Sequence, residues 1–421
     1  MGRTPDLSQE ILEEVISYLD GDTDTLMALS TSSYRVWHIC RPLLFYSLHF
    51  SAENCAKWAG YLGRTDPTPT LDHLEFVQEL TVDLKNFSDA DEMHVAPIVD
   101  RITCPRVIKL ENTSPYSTGR WSSLSTWLQC TISELISRPT VRDVRVRELI
   151  YLPTSLFAGH LHLWKLQLIS CTFTMPPLGP IVLRPDFPKT PLRTLYINST
   201  SFVPYAGQRE LEGLAEHPFF PLDLADLSQL HIHLTPLNVA QVQHLLLICG
   251  PHLVSMSITL NGGSNHIQHL SSLRALHFHL TIPVFATEDE VINDISSGLL
   301  RTLEHLSDDY DGSRHPLEEI AISVNLSQDN FQMFPARFWA DLDTLLVNLA
   351  PIKSLVVSIE GGRRVRQLSM DVKAYISKSH TFWETCQPSF SGRQYRQVSQ
   401  VQPERPDGPV APQVHQIILK L

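Results

Sequence analysis

Two histidine pairs are the most pointed chemical feature of the sequence. His231-Ile232-His233 and His277-Phe278-His279 each place imidazoles at i and i+2, which in a strand project from one face. Such pairs can ligate a transition metal or exchange protons near neutrality. The Leu253 segment lies between them, which puts the pairs two strands, roughly 10 Å, apart and too far to share one ion. The expectation is therefore a polar sheet face, with no metal and no cofactor. Motifs that would signal catalysis are missing from the sequence: there is no His-Glu-x-x-His, no Gly-x-Ser-x-Gly and no Gly-Lys-Ser/Thr phosphate loop. The seven cysteines (Cys40, Cys55, Cys104, Cys130, Cys171, Cys249 and Cys386) are odd in number and form no Cys-x-x-Cys, so they read as buried thiols. A binding protein is expected, and not an enzyme.

In the same period-two frame, further polar residues fall into step with the histidines. They are Lys109 and Glu111, Arg145 and Arg147, Gln167 and Ile169, Tyr196 and Asn198, then Ser257 and Thr259. Arginine, tyrosine, amide and histidine groups on one face resemble a protein-binding surface more than a small-molecule pocket. The target-binding residues expected from this row are Arg145, Arg147, Gln167, Tyr196, Asn198, His231, His233, His277 and His279. An ordinary solvated sheet face remains the alternative.

The elements that must carry this row are short segments of the form L-x-x-L-x-L. The clearest is Leu163-x-x-Leu166-x-Leu168-x-x-Cys171-x-Phe173, a match to the leucine-rich-repeat template. The frame returns at Leu192, Leu227, Leu253, Leu273 and Leu317, with weaker copies at Val77, Pro105, Val141 and Ile352. Start-to-start spacings run from 20 residues (Leu253 to Leu273) to 44 (Leu273 to Leu317), an irregular array with insertions. Apolar-periodic stretches over 124–136, 239–248, 291–306 and 338–349 suit intervening helices. The fold class expected is α/β: an irregular leucine-rich-repeat solenoid with a parallel sheet on its concave face and helices on its convex face. A closed α/β enzyme domain is the competing reading.

The first fifty residues have a different period. Ile11, Leu12, Val15, Ile16 and Leu19 recur at helical spacing from a start near Ser8, and Gly21 ends that helix. A second helix is expected over 25–30 and a third over 32–41, stopped by Pro42. Leu7-Ser8-x-Glu10-Ile11-Leu12-x-x-Val15-Ile16-x-Tyr18-Leu19, then Leu26-x-x-Leu29-Ser30 and Arg41-Pro42-Leu43-Leu44-Phe45, resembles an F-box, in particular that of fungal F-box proteins. Ser8, Ser32 and Tyr34 depart from the usual pattern. The resemblance implies docking on the adaptor subunit of an SCF-type cullin-RING ubiquitin ligase, and through it on cullin, by Leu7, Ile11, Leu12, Ile16, Leu26 and Leu29. The remaining chain would then bind a protein target for ubiquitin-dependent degradation. A non-degradative scaffold with a degenerate F-box is the runner-up, and an α/β enzyme with an unrecognised site comes third.

Composition sets the outer bounds. The chain has 421 residues, 43% of them hydrophobic, with a net charge of −12, so a partner bound through a general positive field, such as nucleic acid, is not expected. The longest apolar runs fall short of a membrane span, and acidic residues interrupt the N-terminal stretch where a secretory signal would be uncharged. No membrane association is expected, and the expected location is cytoplasmic, nuclear or both. The organisation implied is an F-box-like helical unit over 1–50, a connecting segment over 51–74 around Pro67 and Pro69, repeats over 75–376, and a flexible tail over 377–421 rich in Gln, Arg, Ser and Pro.

Overall fold

The computed structural model describes residues 8–62, 73–113, 119–175, 189–198, 200–204, 221–234, 239–260, 267, 270–282, 297–306, 316–326, 341–342, 344–345, 349, 352, 354–361, 396–400 and 413–420. It is a mixed α/β structure with a large parallel sheet, divided into two compact units: Met1–Pro191 with Ser199–Gln208, and Leu192–Asn198 with Arg209–Leu421. Among the described residues no helix is long and apolar enough to cross a membrane.

The first unit opens with three short helices, each begun by a side-chain cap that satisfies an otherwise unpaired amide. Helix α1 (Gln9–Ser17) starts at Ser8, whose side chain accepts from the Ile11 amide. Helix α2 (Thr23–Ser30) starts at Asp22 and α3 (Tyr34–Leu44) at Ser33. Helix α1 is shorter than its apolar period, and Gly21 at φ 87° turns the chain toward α2. Pro42, expected to stop α3, lies inside it, because the ring removes one amide near the last turn and the Phe45 amide closes that turn on the Arg41 carbonyl. Ile16, Leu26 and Cys40 form the buried centre of this bundle, with Leu19, Leu29, Val36, Ile39, Leu43 and Leu44 packed around them.

The helices run directly into a sheet. Strand β1 (Ser47–Phe50) pairs in parallel with β2 (Glu79–Asp83), Leu48 opposite Leu80 and Phe50 opposite Val82. The boundary expected at residue 50 is thus crossed by a strand, and the segment expected as a connector carries helix α4 (Cys55–Leu62) and a 3-10 turn at His73–Phe76. Strands β3 (Val107–Glu111), β4 (Asp143–Arg147) and β5 (Lys165–Ile169) continue the parallel order in register, so that Leu80, Ile108, Val144 and Leu166 form one fully buried row. Helices α5 (Asp89–Arg101) and α6 (Thr126–Ser137) fill the connections and bury Val95, Val99, Leu128 and Leu135. Beyond β4 and β5 the chain takes left-handed φ values at Glu148 (57°) and Ser170 (51°), which turn Leu149 and Cys171 into the core.

The second unit repeats this logic. Strands β6 (Thr194–Asn198), β7 (Gln229–Leu234), β8 (Ser255–Leu260), β9 (Ala275–Ile282), β10 (Glu319–Leu326) and β11 (Ser354–Gly361) are parallel and in chain order. Leu195, Leu230, Met256, Leu276, Ile320 and Leu355 lie opposite one another in register and are buried. Helix α7 (Val239–Cys249) buries Val242, Leu246 and Cys249, and residues 297–306 form a helix that buries Leu299 and Leu303. Within 377–421, expected as a tail, the backbone instead forms β12 (Arg396–Gln400) and β13 (Gln413–Lys420). Strand β13 pairs antiparallel with β11, and β12 with β13. The apolar run Ile417-Ile418-Leu419 and the exposed edge of β11 account for that pairing, since an unpaired strand edge leaves a row of unsatisfied amides and carbonyls.

Leu166 and Leu195 are fully buried, whereas Gln167 lies on the opposite, half-buried face. Leu166→Ala and Leu195→Ala are each expected to lower stability by about 2–5 kcal/mol, and Gln167→Ala by less than about 1 kcal/mol. Chemical denaturation of the three variants checks this, and a reversed order would invert the strand frame.

Candidate functional site

Three surfaces carry the residues singled out by the sequence. The first is the outside of the helical bundle. Among the six residues expected to face a partner, Ile16 (3% exposed) and Leu26 (2%) are the core of the bundle, Leu29 packs against it half-buried, and Leu12 is half-buried. Ile11 is open to solvent, and Leu7 lies outside the described residues. The apolar groups that do reach solvent include three outside the set expected to face a partner: Val15 (53% exposed), Tyr18 (79%) and Met27 (57%). Ile11, Val15 and Tyr18 follow one another at i, i+4 and i+7 and so share one side of the first helix and its end. Their signal was present in the period, which marks which residues share a face but not which part of a broad stripe is covered. Between α1 and α3 lies a groove of about 630 Å³ lined by Gln9, Glu13, Tyr34, Arg35, His38 and Ile39, with Tyr34 edge-on to His38 at 4.3 Å.

The bundle is held to the sheet by Arg41, which is only 3% exposed. Its Nε donates to His73 Nδ1 at 2.9 Å, its Nη2 lies 3.4 Å from Glu75 Oε1, and its guanidinium sits 4.6 Å from the Phe76 ring centroid. Accepting at Nδ1 requires His73 to be neutral with its proton on Nε2. The imidazole is stacked on Phe45 at 4.4 Å with the rings 4° from parallel. The Phe76 ring face, the His73 ring nitrogen and a carboxylate thus surround a buried cation, the arrangement that makes such burial tolerable.

The second surface is the outward side of the first unit's sheet, and it is an ionic lattice. Lys109 Nζ meets Glu79 at 2.5 Å. Arg145 reaches Asp143 Oδ2 at 2.9 Å through Nη2, Lys165 approaches the same oxygen at 3.6 Å, and Arg147 Nε meets Glu148 at 3.1 Å. The hydrogen bond to Asp143 is the main influence raising the Arg145 pKa above its ordinary value. Asp83 is buried by donors from the Lys85 amide and from the amide and hydroxyl of Thr113. Gln167 stands next to Arg145 across the β4/β5 pair. Each expected target-binding arginine here therefore already has a carboxylate partner.

The third surface, on the second unit, is built from uncharged and imidazole groups. Register places His231, Ser257 and His277 in one row, and His233, Thr259 and His279 in the next. The histidine pairs are thus two strands apart, as their spacing implies. Tyr196 lies beside His231 with ring centroids 5.7 Å apart, and Asn198 Oδ1 is 2.6 Å from His233 Nδ1, which makes that nitrogen the donor. Burial, followed by the neighbouring His277, holds the His279 pKa below that of an ordinary imidazole. Among the described residues no group of three or more His, Cys, Asp or Glu side chains could hold a metal ion. Burial pushes the Cys55 and Cys171 thiols up to about 11 and Cys249 to about 12, far from the thiolate needed for nucleophilic or metal chemistry at neutral pH. Asn112, in an Asn-x-Ser sequence, is 3% exposed and closed to modification in the folded chain.

The chain matches no protein-family model and no curated protein. The functional reading therefore rests on the sequence pattern and the geometry together.

Arg145 shields an Asp143 side chain that is 14% exposed, whereas Arg147 is half exposed. Arg145→Ala is expected to cost about 1–2 kcal/mol, reduced from a fully buried pair by solvent screening, and Arg147→Ala about 0–0.5 kcal/mol. Urea titrations of the two variants check the difference; equal effects would show that the Arg145–Asp143 contact does not contribute.

Proposed function

We propose that this protein is the substrate-recognition adaptor of an SCF-type cullin-RING ubiquitin ligase. In this reading α1–α3 are an F-box that docks the ligase's adaptor subunit. The remainder is an irregular leucine-rich-repeat solenoid whose outward sheet faces bind a protein target. The observation that carries the reading is the solvent-exposed stripe Ile11, Val15 and Tyr18 on a bundle whose own core, Ile16, Leu26 and Cys40, is already closed. An apolar stripe left uncovered on so small a bundle is the kind of surface a partner helix or groove covers. Ile16, Leu26 and Leu29 then shape the stripe from beneath, and Ile11, Val15, Tyr18 and Met27 make the contact. The solenoid reading is supported by parallel strands in chain order whose apolar rows lie in register within each unit. The protein would act by binding two partners at once, with the chemistry left to the rest of the ligase.

The double variant Ile11→Asp/Val15→Asp places charges where a partner would desolvate them, and each such charge costs several kcal/mol at an interface. Co-purification with the adaptor subunit and cullin is expected to fall by at least about a hundredfold, with circular dichroism unchanged because both side chains are exposed. Retention of both proteins by a folded double variant would refute the docking assignment.

A further inference from the structure

In the first unit, the turns that lead into β3, β4 and β5 bring basic and aromatic residues to one edge of the sheet. The Arg142 amide donates to the Arg106 carbonyl at 2.9 Å, and the Trp164 amide to the Arg142 carbonyl at 2.9 Å. These three residues therefore stand side by side, each one strand spacing, about 4.8 Å, from the next. The Arg142 guanidinium lies 5.3 Å from the Trp164 ring centroid, and its Nη1 donates to the His162 carbonyl at 3.0 Å. Arg106 is exposed, Trp164 is 50% exposed, and Leu161, in the turn before β5, is 68% exposed. The nearby carboxylates meet other cations: Asp100 lies 3.9 Å from Arg138, and Asp143 receives Arg145 and Lys165. Among the described residues, none pairs with Arg106 or Arg142.

The edge is basic in an acidic chain. It runs from the last turns of α5 and α6 to the first residue of the strand after each, and over 158–165 into β5. Its cations are Arg101, Arg106, Arg138, Arg142 and Lys165. Its carboxylates are Asp100, Glu134 and Asp143, so five positive charges against three negative leave a net +2, where the whole chain carries −12. On the neighbouring turn before β2, Glu75 meets Arg41 and Glu79 meets Lys109. The opposite edge is acidic: Asp83 and Glu111 end β2 and β3, and Glu148 follows β4.

We propose that this edge is a docking surface for an acidic segment of a partner polypeptide, with carboxylates on Arg106 and Arg142 and an apolar side chain against Trp164 and Leu161. It goes beyond the bundle and the outward sheet faces and depends on neither reading. Arginine presents five N–H donors in a planar fork, and Arg142 gives one of them to the His162 carbonyl while the Trp164 ring holds its plane. A carboxylate can take the remaining donors without first freezing a mobile side chain, the entropy cost that makes exposed ion pairs weak. Arg106, one strand spacing away, suits a second carboxylate on an extended segment. Trp164 and Leu161 supply apolar contact beside these charges, and tryptophan and arginine are residue types that dominate interface energetics. A short acidic segment fits better than nucleic acid, because a long polyanion would leave the basic edge and meet the negative charge of the rest of the chain.

The test uses the full chain and a fluorescein-labelled peptide of glutamates flanking one central leucine, read by fluorescence anisotropy. Saturable binding is expected. Arg106→Gln/Arg142→Gln should weaken it at least about tenfold, and Trp164→Ala at least about threefold. Lys85→Gln/Arg120→Gln removes as many charges from the opposite edge, including an arginine 6.0 Å from the Tyr151 ring centroid, and should change the affinity less than about twofold. No saturable binding by the wild type, or unchanged affinity in either variant of the basic edge, overturns the proposal. An equal loss in the two double variants also overturns it and assigns binding to net charge. Single-stranded DNA that displaces the peptide more effectively at equal charge overturns it in favour of a nucleic-acid surface. If the Arg106/Arg142 variant fails to fold by circular dichroism, Arg106→Gln alone must lower affinity at least about threefold, since among the described residues that side chain has no partner to lose; an unchanged affinity there is equally fatal. Adaptor co-purification is read separately, so loss of this proposal leaves the F-box reading standing, and the reverse.

Discussion

Among the described residues, each parallel strand of the large sheet depends on its neighbours to bury one side. A parallel strand of five to eight residues has one apolar row and cannot satisfy its own backbone, so register is the constraint from which the rest follows. The rows Leu80, Ile108, Val144, Leu166 in one unit and Leu195, Leu230, Met256, Leu276, Ile320 in the other show that register held from strand to strand. A slip by one residue would carry each leucine to solvent and each arginine or histidine into the core. The N-terminal helices join the same scheme, because β1 extends the first row through Leu48 and Arg41 ties α3 to the turn before β2. The bundle is thereby fixed to the sheet by buried contacts in the same unit.

With one side of each sheet committed to packing, function is left to the other side and to the bundle's exterior. The two sheet faces use that freedom differently. Lys109, Arg145, Arg147 and Lys165 are matched to carboxylates, which favours a defined surface and a modest intrinsic affinity for ions. The histidine rows combine imidazoles with the hydroxyls of Ser257 and Thr259, and His233 is bonded to Asn198. On the bundle, Ile11, Val15 and Tyr18 leave an apolar surface open to solvent.

Much of this was legible in the sequence because the signal was local. The ten L-x-x-L-x-L segments are strands, and the histidine pairs lie in step two strands apart, since a period of two and a fixed frame determine both. What was missed was non-local or masked by composition. Strand β1 reads as the end of the helical unit, because Leu48 and Phe50 gain their meaning only opposite Leu80 and Val82. Helix α5 contains Pro97 and four acidic residues and lacks a strong stripe, although its Ser88 and Asp91 capping box was a readable start. The low-complexity composition after residue 377 hid β13, whose partner β11 lies more than fifty residues earlier. In the bundle, helical period identified the apolar residues but could not assign Ile16 and Leu26 to the core and Val15 and Tyr18 to solvent. That division depends on the crossing of α1 with α3.

The central claim is that the bundle's exposed stripe receives the ligase adaptor while the sheet stays available for a target. Hydrogen–deuterium exchange of the full chain, with and without the purified SCF adaptor subunit, reads this directly. Protection confined to peptides spanning 9–30, with exchange in the sheet strands unchanged, is the result this account predicts. No protection at saturating adaptor, or protection centred on the strands instead of the helices, would contradict it.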